Sequence, residues 1–230
     1  MSKIIQQCKY SCALGAQQTV LGIPRAIPII HAGPGCSERQ FMFLTGGSGY
    51  QGEGYAGGGH VACTNSSQNE VVFGGEKKLA TLIEATQKVI DGDLYVVLAG
   101  CTAGIVGDDV QQVARDHSLP DHPVVGVDTA GFRGNNYKGH EIVVNGIIEQ
   151  FVGKTEPKVR KGLVNVFSVV PNQNAFWWGD LEEIKRLLEG IGLEVNILFG
   201  YESAGVPEWK DIPNAELNIV LSPWVGLSSA

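Results

Sequence analysis

The sequence has no block of lysine or arginine and no long hydrophobic run. Its formal net charge is -7, so a surface for nucleic acid or for an anionic membrane is not expected. The longest apolar runs, such as LYVVLA and AIPII, are too short to span a bilayer. The first residues, MSKIIQQCKYSC, lack the long apolar core of a signal peptide. Together these absences predict a cytoplasmic protein without a nucleic-acid or membrane partner.

Cysteine is scarce, and its number is odd. The chain has five cysteines among 230 residues. Without an export signal we expect reduced thiols rather than a disulfide framework. Metal binding or redox chemistry is then the leading explanation for any cysteines that cluster. A compact zinc site is not indicated, because Cys8 and Cys12 are one close pair with no second Cys/His pair at a matching distance.

Strands and helices alternate from residue 60 onward. GEKKLATLIEATQKVI has apolar residues on one helical face, and LYVVLAG follows as a short buried strand. The alternation restarts with LVNVFSVV, DLEEIKRLLEGIG and EVNILF, a strand, a helix and a strand. Apolar strands that alternate with helices predict parallel sheets covered on both faces. We therefore expect an α/β fold built from Rossmann-like units.

The segment GKTEPKVRKG is polar and charged, and it predicts a linker. On this basis we expect a first Rossmann-like domain over residues 1–152, carrying the cysteines, and a second over residues 163–230. The chain stops at LSPWVGLSSA, directly after a predicted strand. A doubly wound sheet would continue with a helix, so we expect the second domain to be incomplete.

Three cysteines lie at the ends of predicted strands. Cys36 ends the turn HAGPGC, Cys101 follows the strand at 94–100, and Cys12 precedes an apolar strand. The carboxyl edge of an open α/β sheet is where such folds hold ligands. The spacing leaves two interpretations open: a cluster held by cysteines from distant segments, or cysteines buried as small hydrophobic residues, as Cys63 could also be.

Other features carry a weaker signal. We expect His31 and His60 to be structural, hydrogen-bonded histidines. The glycine-rich segment at residues 46–59 is not followed by the Lys and Ser/Thr of a P-loop. It is interpreted as a flexible or cofactor-facing loop.

Four segments, in order along the chain, resemble component 1 of nitrogenase and its relatives. They are CALGAQQTVLGIPRAIPIIHAGPGC, CTNSSQNEVVFGGEKKL, AGCTAGIVGDDV and GFRGNNYKGHE. The segments GDLEEIKRLLEGIGLEV and NAELNIVLSPW look more like the β-type subunit than the α-type. The resemblance implies a subunit of three Rossmann-like domains, of which this sequence covers the first and second.

The resemblance also implies a set of metal ligands. In that family, cysteines of the first domain bind an Fe–S cluster at the interface of two homologous subunits. Carried over by motif, the ligands are Cys12, Cys36 and Cys101, with Cys8 as a rival for the place of Cys12. In β-type subunits a serine is an extra ligand, and Asn135 stands at its place in this sequence. The implied cofactor is therefore either a 4Fe-4S cluster or a P-cluster-like 8Fe-7S cluster.

The implied function is electron relay in a nitrogenase-like oxidoreductase. An ATP-dependent Fe-protein would dock near the cluster, which would pass electrons to a buried site of substrate reduction. The other partner would be a homologous component 1 subunit, in a homo- or hetero-oligomer. Ser222 stands where α-type subunits have the cysteine of their iron–molybdenum cofactor. Two alternatives stay open: a metallocluster assembly scaffold related to component 1, and a cluster-free Rossmann protein that binds a small molecule.

Overall fold

The computed structural model of the chain describes residues 12–38, 61–153, 156–222 and 225–230. Within these ranges, two parallel sheets are formed, one of four strands and one of three. The strands are β1 (Ala26–His31), β2 (Ala62–Cys63), β3 (Leu94–Ala99), β4 (Val124–Val127), β5 (Arg160–Phe167), β6 (Glu194–Asn196) and β7 (Ala215–Val220). Cys8, His60 and the glycine-rich segment at 46–59 lie outside the described residues.

Helices connect the strands and cover the sheets. A three-residue-per-turn helix at Ala13–Ala16 precedes the first α-helix, another lies at Gly131–Arg133, and a wider π-type turn at Ile148–Val152 extends α6. The α-helices are α1 (Gln17–Leu21), α2 (Gln68–Phe73), α3 (Glu76–Val89), α4 (Cys101–Val106), α5 (Val110–Asp116), α6 (Asn136–Ile147), α7 (Trp177–Gly190) and α8 (Val206–Asp211). In the described ranges, no helix has both the length and the apolar character needed to cross a membrane.

The first sheet has the strand order β2-β1-β3-β4 and is buried on both faces. Tyr95 and Val97 of β3 pack with Leu79 of α3 and with α5, whereas Val96 and Leu98 face the main core on the opposite side. Because both faces are buried, the strands are continuously apolar rather than alternating. The predicted α/β fold with parallel sheets is confirmed.

The second sheet has the order β6-β5-β7, and three asparagines fix its register. Asn165 pairs with Asn196 on one side and with Asn218 on the other. Asn196 Nδ2 donates to Asn165 Oδ1 at 2.9 Å, and Asn165 Nδ2 donates to Asn218 Oδ1 at 2.7 Å. A slip of one residue would separate these amides and reverse the faces of the apolar side chains.

Several element boundaries differ from those that periodicity predicts. The apolar periodicity of HEIVVNGIIEQFV predicts a helix that begins at His140. In the structure α6 begins at Asn136, because the Asn135 side chain accepts a hydrogen bond from Lys138 N at 3.1 Å and caps the helix. The strand EVNILF ends at Asn196, and Leu198 has a left-handed φ of 69° that no strand allows. A side-chain cap therefore sets the start of α6 and a left-handed residue follows the end of β6, and the apolar pattern shows neither.

The two sheets share one hydrophobic core. It contains Leu14 and Val96 from the first part of the chain together with Val166 and Trp209 from the second. Strand β5 begins at Arg160, inside the segment predicted as a linker. The division into domains over 1–152 and 163–230 stays a prediction.

Candidate functional site

The first sheet has a topological switch point between β1 and β3. These strands are neighbours, but the chain leaves β1 towards β2 on one side and β3 towards β4 on the other. Open α/β sheets bind ligands outside the carboxyl ends of strands at such a point. Cys36 follows β1 and Cys101 follows β3 directly, so two of the predicted ligands lie at this edge.

Cys12 and Cys101 come together over Gly131. A Cβ placed on Gly131 would lie 2.9 Å from Cys101 Sγ, 3.2 Å from Cys12 Cβ and 3.5 Å from Cys12 Sγ. Both sulfurs are therefore close to this one position. The distance between the Cys12 and Cys101 sulfurs cannot exceed the sum of 2.9 Å and 3.5 Å. Only glycine leaves this space open, since any side chain would push against the Cys101 sulfur. We call Cys12, Cys101 and Gly131 the sulfur edge.

The local backbone explains how Cys12 reaches this edge. It forms an antiparallel bridge with Asn135, and its carbonyl accepts a hydrogen bond from Gly15 N at 2.8 Å that opens the turn at Ala13–Ala16. That turn lies directly on α6, because a Cβ on Gly139 would be 2.0 Å from the carbonyl oxygen of Ala13. A residue distant in sequence is thereby held beside the end of β3.

Backbone polarity at the edge suits an anionic sulfur. Gly131 N donates a hydrogen bond to Cys101 Sγ at 3.2 Å. N–H donors to cysteine sulfur stabilise the thiolate and tune the reduction potential of Fe–S centres. Cys12 and Cys101 are also exposed, and Cys36 is half-buried. A cluster bound here would lie at the protein surface, where a second subunit can contribute ligands.

Cys36 lies on the same edge in a helical turn at residues 34–38. Its N–H donates to the carbonyl of Gly33 at 3.2 Å, and it packs against the main core. The described residues contain no group of three His, Cys, Asp or Glu side chains around the position of a single metal ion. Thiolates spread along an edge fit a multi-iron cluster better than a mononuclear metal. The ligand set Cys12, Cys36 and Cys101 stays a prediction.

Cys63 occupies a different environment. Its thiol donates to the carbonyl oxygen of Ala32 at 3.5 Å, and Asn65 N donates to its sulfur at 3.4 Å. Burial raises the pKa of the Cys63 thiol. This cysteine has the properties of a half-buried, hydrogen-bonded thiol.

A second polar site lies deeper in the molecule and was not predicted from the sequence. His140 on α6 is 1% exposed, and its Nδ1 lies 3.0 Å from Thr19 Oγ1. Burial lowers the pKa of His140 to about 4. Among the described residues, neither amide atom of Gln17 and neither amide atom of Asn136 has a hydrogen-bond partner.

Three more unpartnered polar atoms belong to the segment that follows β5. Within the described chain, Ser168 Oγ, Asn172 Oδ1 and Trp177 Nε1 are buried without a partner. This segment lies against α1, since Asn172 Nδ2 donates to the carbonyl of Gln18 at 3.4 Å. We define the buried polar cluster as the side chains of Gln17, Thr19, Asn136, His140, Ser168, Asn172 and Trp177.

The unpartnered atoms of the buried polar cluster reduce the stability of the protein. Buried polar groups without partners destabilise a protein, and each one calls for an explanation. Such atoms are supplied by Gln17 at the start of α1, by Asn136 at the start of α6 and by Ser168 after β5. No sequence motif marked the cluster, since Asn and Gln have many other uses and His140 stood only beside a glycine-rich turn.

Comparison with known proteins identifies the family. A profile of the family described as nitrogenase component 1 type oxidoreductase matches residues 11–230. The chain belongs to this family. The resemblance inferred from the four motifs is thereby confirmed.

Individual relatives of the component 1 family differ in role. The nitrogenase molybdenum-iron protein alpha chain of Methanosarcina barkeri is 32% identical over 142 residues, covering 59% of this chain and 25% of that protein. The nitrogenase iron-molybdenum cofactor biosynthesis protein NifE of Methanococcus maripaludis is 27% identical over 220 residues, covering 93% of this chain and 43% of that protein. Both α chains and β chains match, so the β-type assignment stays a prediction.

The fold is similar to that of a solved nitrogenase, Cp1 at pH 6.5. The TM-score is 0.74 at 26% sequence identity, with 97% of this chain and 43% of that chain covered. The chain therefore spans less than half the length of the relatives that it matches.

Proposed function

We propose that this chain is part of a nitrogenase-like oxidoreductase that receives electrons through an Fe–S cluster at the sulfur edge. The observation that carries the proposal is the meeting of Cys12 and Cys101 over Gly131, with an N–H donated to the Cys101 sulfur at 3.2 Å. A bound cluster would supply a low-potential centre for one-electron transfer. The protein supplies thiolates, a hydrogen-bond donor and a space without a side chain.

The donor set supports a cluster shared between subunits. Cys12, Cys36 and Cys101 would be this chain's ligands, with Cys8 as the rival of Cys12. The Asn135 side chain, at the place of the β-type serine ligand, already caps α6. This use of Asn135 favours a 4Fe-4S cluster over a P-cluster-like 8Fe-7S cluster. The exposure of Cys12 and Cys101 suits ligands from a homologous partner subunit.

Two exposed apolar side chains beside the edge support docking of an electron donor. Ile105 on α4 is 74% exposed, and Phe132, next to Gly131, is 59% exposed. Phe132 lies against the helix that carries Ile105, because a Cβ on the preceding residue, Gly104, would lie 3.2 Å from Phe132 Cζ. Exposed apolar residues that adjoin a redox site fit a transient protein partner. We assign this surface to an ATP-dependent Fe-protein.

The buried polar cluster supports a substrate site, to which the Fe–S cluster would pass its electrons. Its unpartnered amides, hydroxyl and indole N–H can bind a small polar substrate away from bulk water. The low pKa of His140 keeps its imidazole neutral at pH 7, so that it can both accept and donate a hydrogen bond.

The test follows electrons from a nitrogenase Fe-protein with ATP to the anaerobically reconstituted chain. We expect ATP-dependent oxidation of the Fe-protein by the wild type and none by Cys101→Ala. Ile105→Glu should keep its iron but lose most of the electron transfer. The matched control is Leu187→Glu, which alters an exposed apolar residue on α7 and should transfer electrons normally. Electron transfer that is equal in all four proteins would contradict the proposal.

The match to NifE favours a second candidate, a scaffold that assembles or carries a metallocluster. A scaffold would bind iron through the same cysteines but would release it to an acceptor protein. It would also show no turnover with a reductase. Iron binding without ATP-dependent electron uptake, together with transfer of iron to an apo-acceptor, would therefore replace the first candidate by the second.

A further inference from the structure

A buried histidine–aspartate hydrogen bond joins the two segments that carry Cys36 and Cys101. Strand β1 ends at His31 and leads to Cys36, whereas α4 opens with Cys101 and is followed by Asp108. Nε2 of His31 lies 2.9 Å from Oδ2 of Asp108, and the side chains are 1% and 6% exposed. The pair thus links the segment after β1 to the segment after β3.

Further hydrogen bonds hold each partner of the pair. Thr64 Oγ1 lies 3.1 Å from His31 Nδ1, and it accepts a hydrogen bond from Ala32 N at 3.1 Å. Gly75 N donates to both carboxylate oxygens of Asp108 at 3.0 Å. An ionised carboxylate only accepts, so His31 Nε2 is the donor to Asp108. A polar network with every member bonded is rigid and allows one arrangement.

The backbone of Gly75 packs closely against both members of the pair. A Cβ on Gly75 would lie 2.6 Å from His31 Cε1 and 3.0 Å from Asp108 Oδ2. The backbones of the two segments also touch, because Gly100 N donates to the carbonyl of His31 at 2.9 Å. The spacing of the two segments is therefore set by directional bonds rather than by apolar contact.

We propose that His31 and Asp108 are positioning residues of the cluster site, which hold the segment of Cys36 at a fixed distance from that of Cys101. The proposal rests on the proposed function, in which both cysteines bind one cluster. Neither side chain is itself a ligand, since the imidazole nitrogens and the carboxylate oxygens already have partners. Partners behind the ligands decide the geometry in which ligands meet a metal centre.

The first test uses the iron-free protein. Iodoacetamide alkylation of each cysteine is followed by mass spectrometry in wild type, in Asp108→Asn and in the control Glu84→Gln. The control removes the exposed pair of His117 and Glu84, whose atoms are 3.5 Å apart. Because loss of the buried charge opens the link locally, we expect the half-buried Cys36 to react about tenfold faster in Asp108→Asn, whereas the exposed Cys101 should change little. Glu84→Gln should match the wild type.

The second test uses the reconstituted protein. The EPR spectrum and the reduction potential of the cluster should change in Asp108→Asn and stay unchanged in Glu84→Gln, at a temperature where both remain folded. If Asp108→Asn does not fold, Thr64→Val serves in its place, because it removes the hydroxyl 3.1 Å from His31 Nδ1 and leaves the Asp108 carboxylate bonded. Unchanged alkylation and an unchanged spectrum in the folded variant would overturn the positioning role. A wild type that takes up no iron would overturn the proposed function, and the alkylation rates would then decide the positioning role by themselves.

Discussion

The sulfur edge and the buried polar cluster are both built from residues distant in sequence, but they solve opposite problems. The sulfur edge is exposed, and glycine keeps its centre open. The unpartnered atoms of the buried polar cluster are shielded from solvent. They have no hydrogen-bond partner among the described residues, which lowers the stability of the fold. An electron donor needs access to a surface, whereas reduction of a small substrate benefits from exclusion of water. Under the proposed function, this contrast would separate electron uptake at the surface from substrate reduction in the interior.

A side chain at Gly131, in the middle of the sulfur edge, should have the largest effect on iron binding. Gly131→Ala would place a methyl group 2.9 Å from the Cys101 sulfur. We expect nearly complete loss of bound iron with little loss of stability, because the site is at the surface. Iron analysis and urea denaturation would measure both effects.

Gly179→Ala is the matched control for this change. A Cβ at Gly179 meets no atom within 4 Å, and the residue lies in α7. Alanine should raise stability by up to ~1 kcal/mol there and leave iron binding unchanged. Normal iron content in Gly131→Ala would mean that no cluster occupies this space.

The buried polar cluster should show itself in the pH dependence of stability. Burial lowers the pKa of His140 to about 4, whereas an unfolded histidine titrates near 6.5. Between these values the unfolded chain binds more protons, so the free energy of unfolding falls as the pH decreases from about 6.5 towards 4. The full loss is about 3 kcal/mol. Urea denaturation across this range would measure it.

His140→Gln should remove this part of the pH dependence, and His117→Gln should keep it. Carboxylates with a lowered pKa, such as that of Glu70 at about 2, contribute only at lower pH. An equal slope in wild type and His140→Gln would show that this imidazole is not held neutral by burial.

Thr19→Val should produce a smaller effect on the same cluster. It removes the hydroxyl 3.0 Å from His140 Nδ1 while it nearly keeps the shape of the side chain. A buried imidazole left without this partner should cost about 1–3 kcal/mol. Iron content should not change, since Thr19 is not at the sulfur edge. A loss of iron in this variant would show that the two sites are not separate.

Gln17→Met should have the smallest effect, and in the opposite direction. The Gln17 side chain is buried, and its amide has no partner among the described residues. An apolar chain of similar length should raise the free energy of unfolding by about 1 kcal/mol. If the polar atoms bind substrate, the same variant should lose activity. Lower stability in Gln17→Met would instead mean that the amide is solvated or bonded.

Much of the fold and part of the sulfur edge could be predicted from the sequence. Apolar strands and amphipathic helices have local patterns, and cysteines next to glycine-rich turns indicate candidate ligands. Cys101 at the end of β3 follows from strand periodicity alone. The approach of Cys12 to Cys101 does not, because it depends on the packing of the turn at Ala13–Ala16 against α6.

Asp108 shows why the rest could not be predicted. The sequence GDDVQQ places two acids in the expected first turn of a helix. In the structure only Asp109 caps α5, and Asp108 lies before the helix, where it bonds His31, 77 positions earlier. Neither the partner nor the burial has a local signal. The same holds for the unpartnered amides of Gln17 and Asn136, whose residue types fit any surface loop.

The central claim is that the cysteines of the exposed edge bind an Fe–S cluster. Iron and acid-labile sulfide content, with an EPR spectrum, of the anaerobically reconstituted protein would test it most directly. Wild type should bind both elements, and Cys36→Ala and Cys101→Ala should each lose them, whereas Cys63→Ala should keep them. No iron in the wild type, or equal iron in all four proteins, would contradict the account.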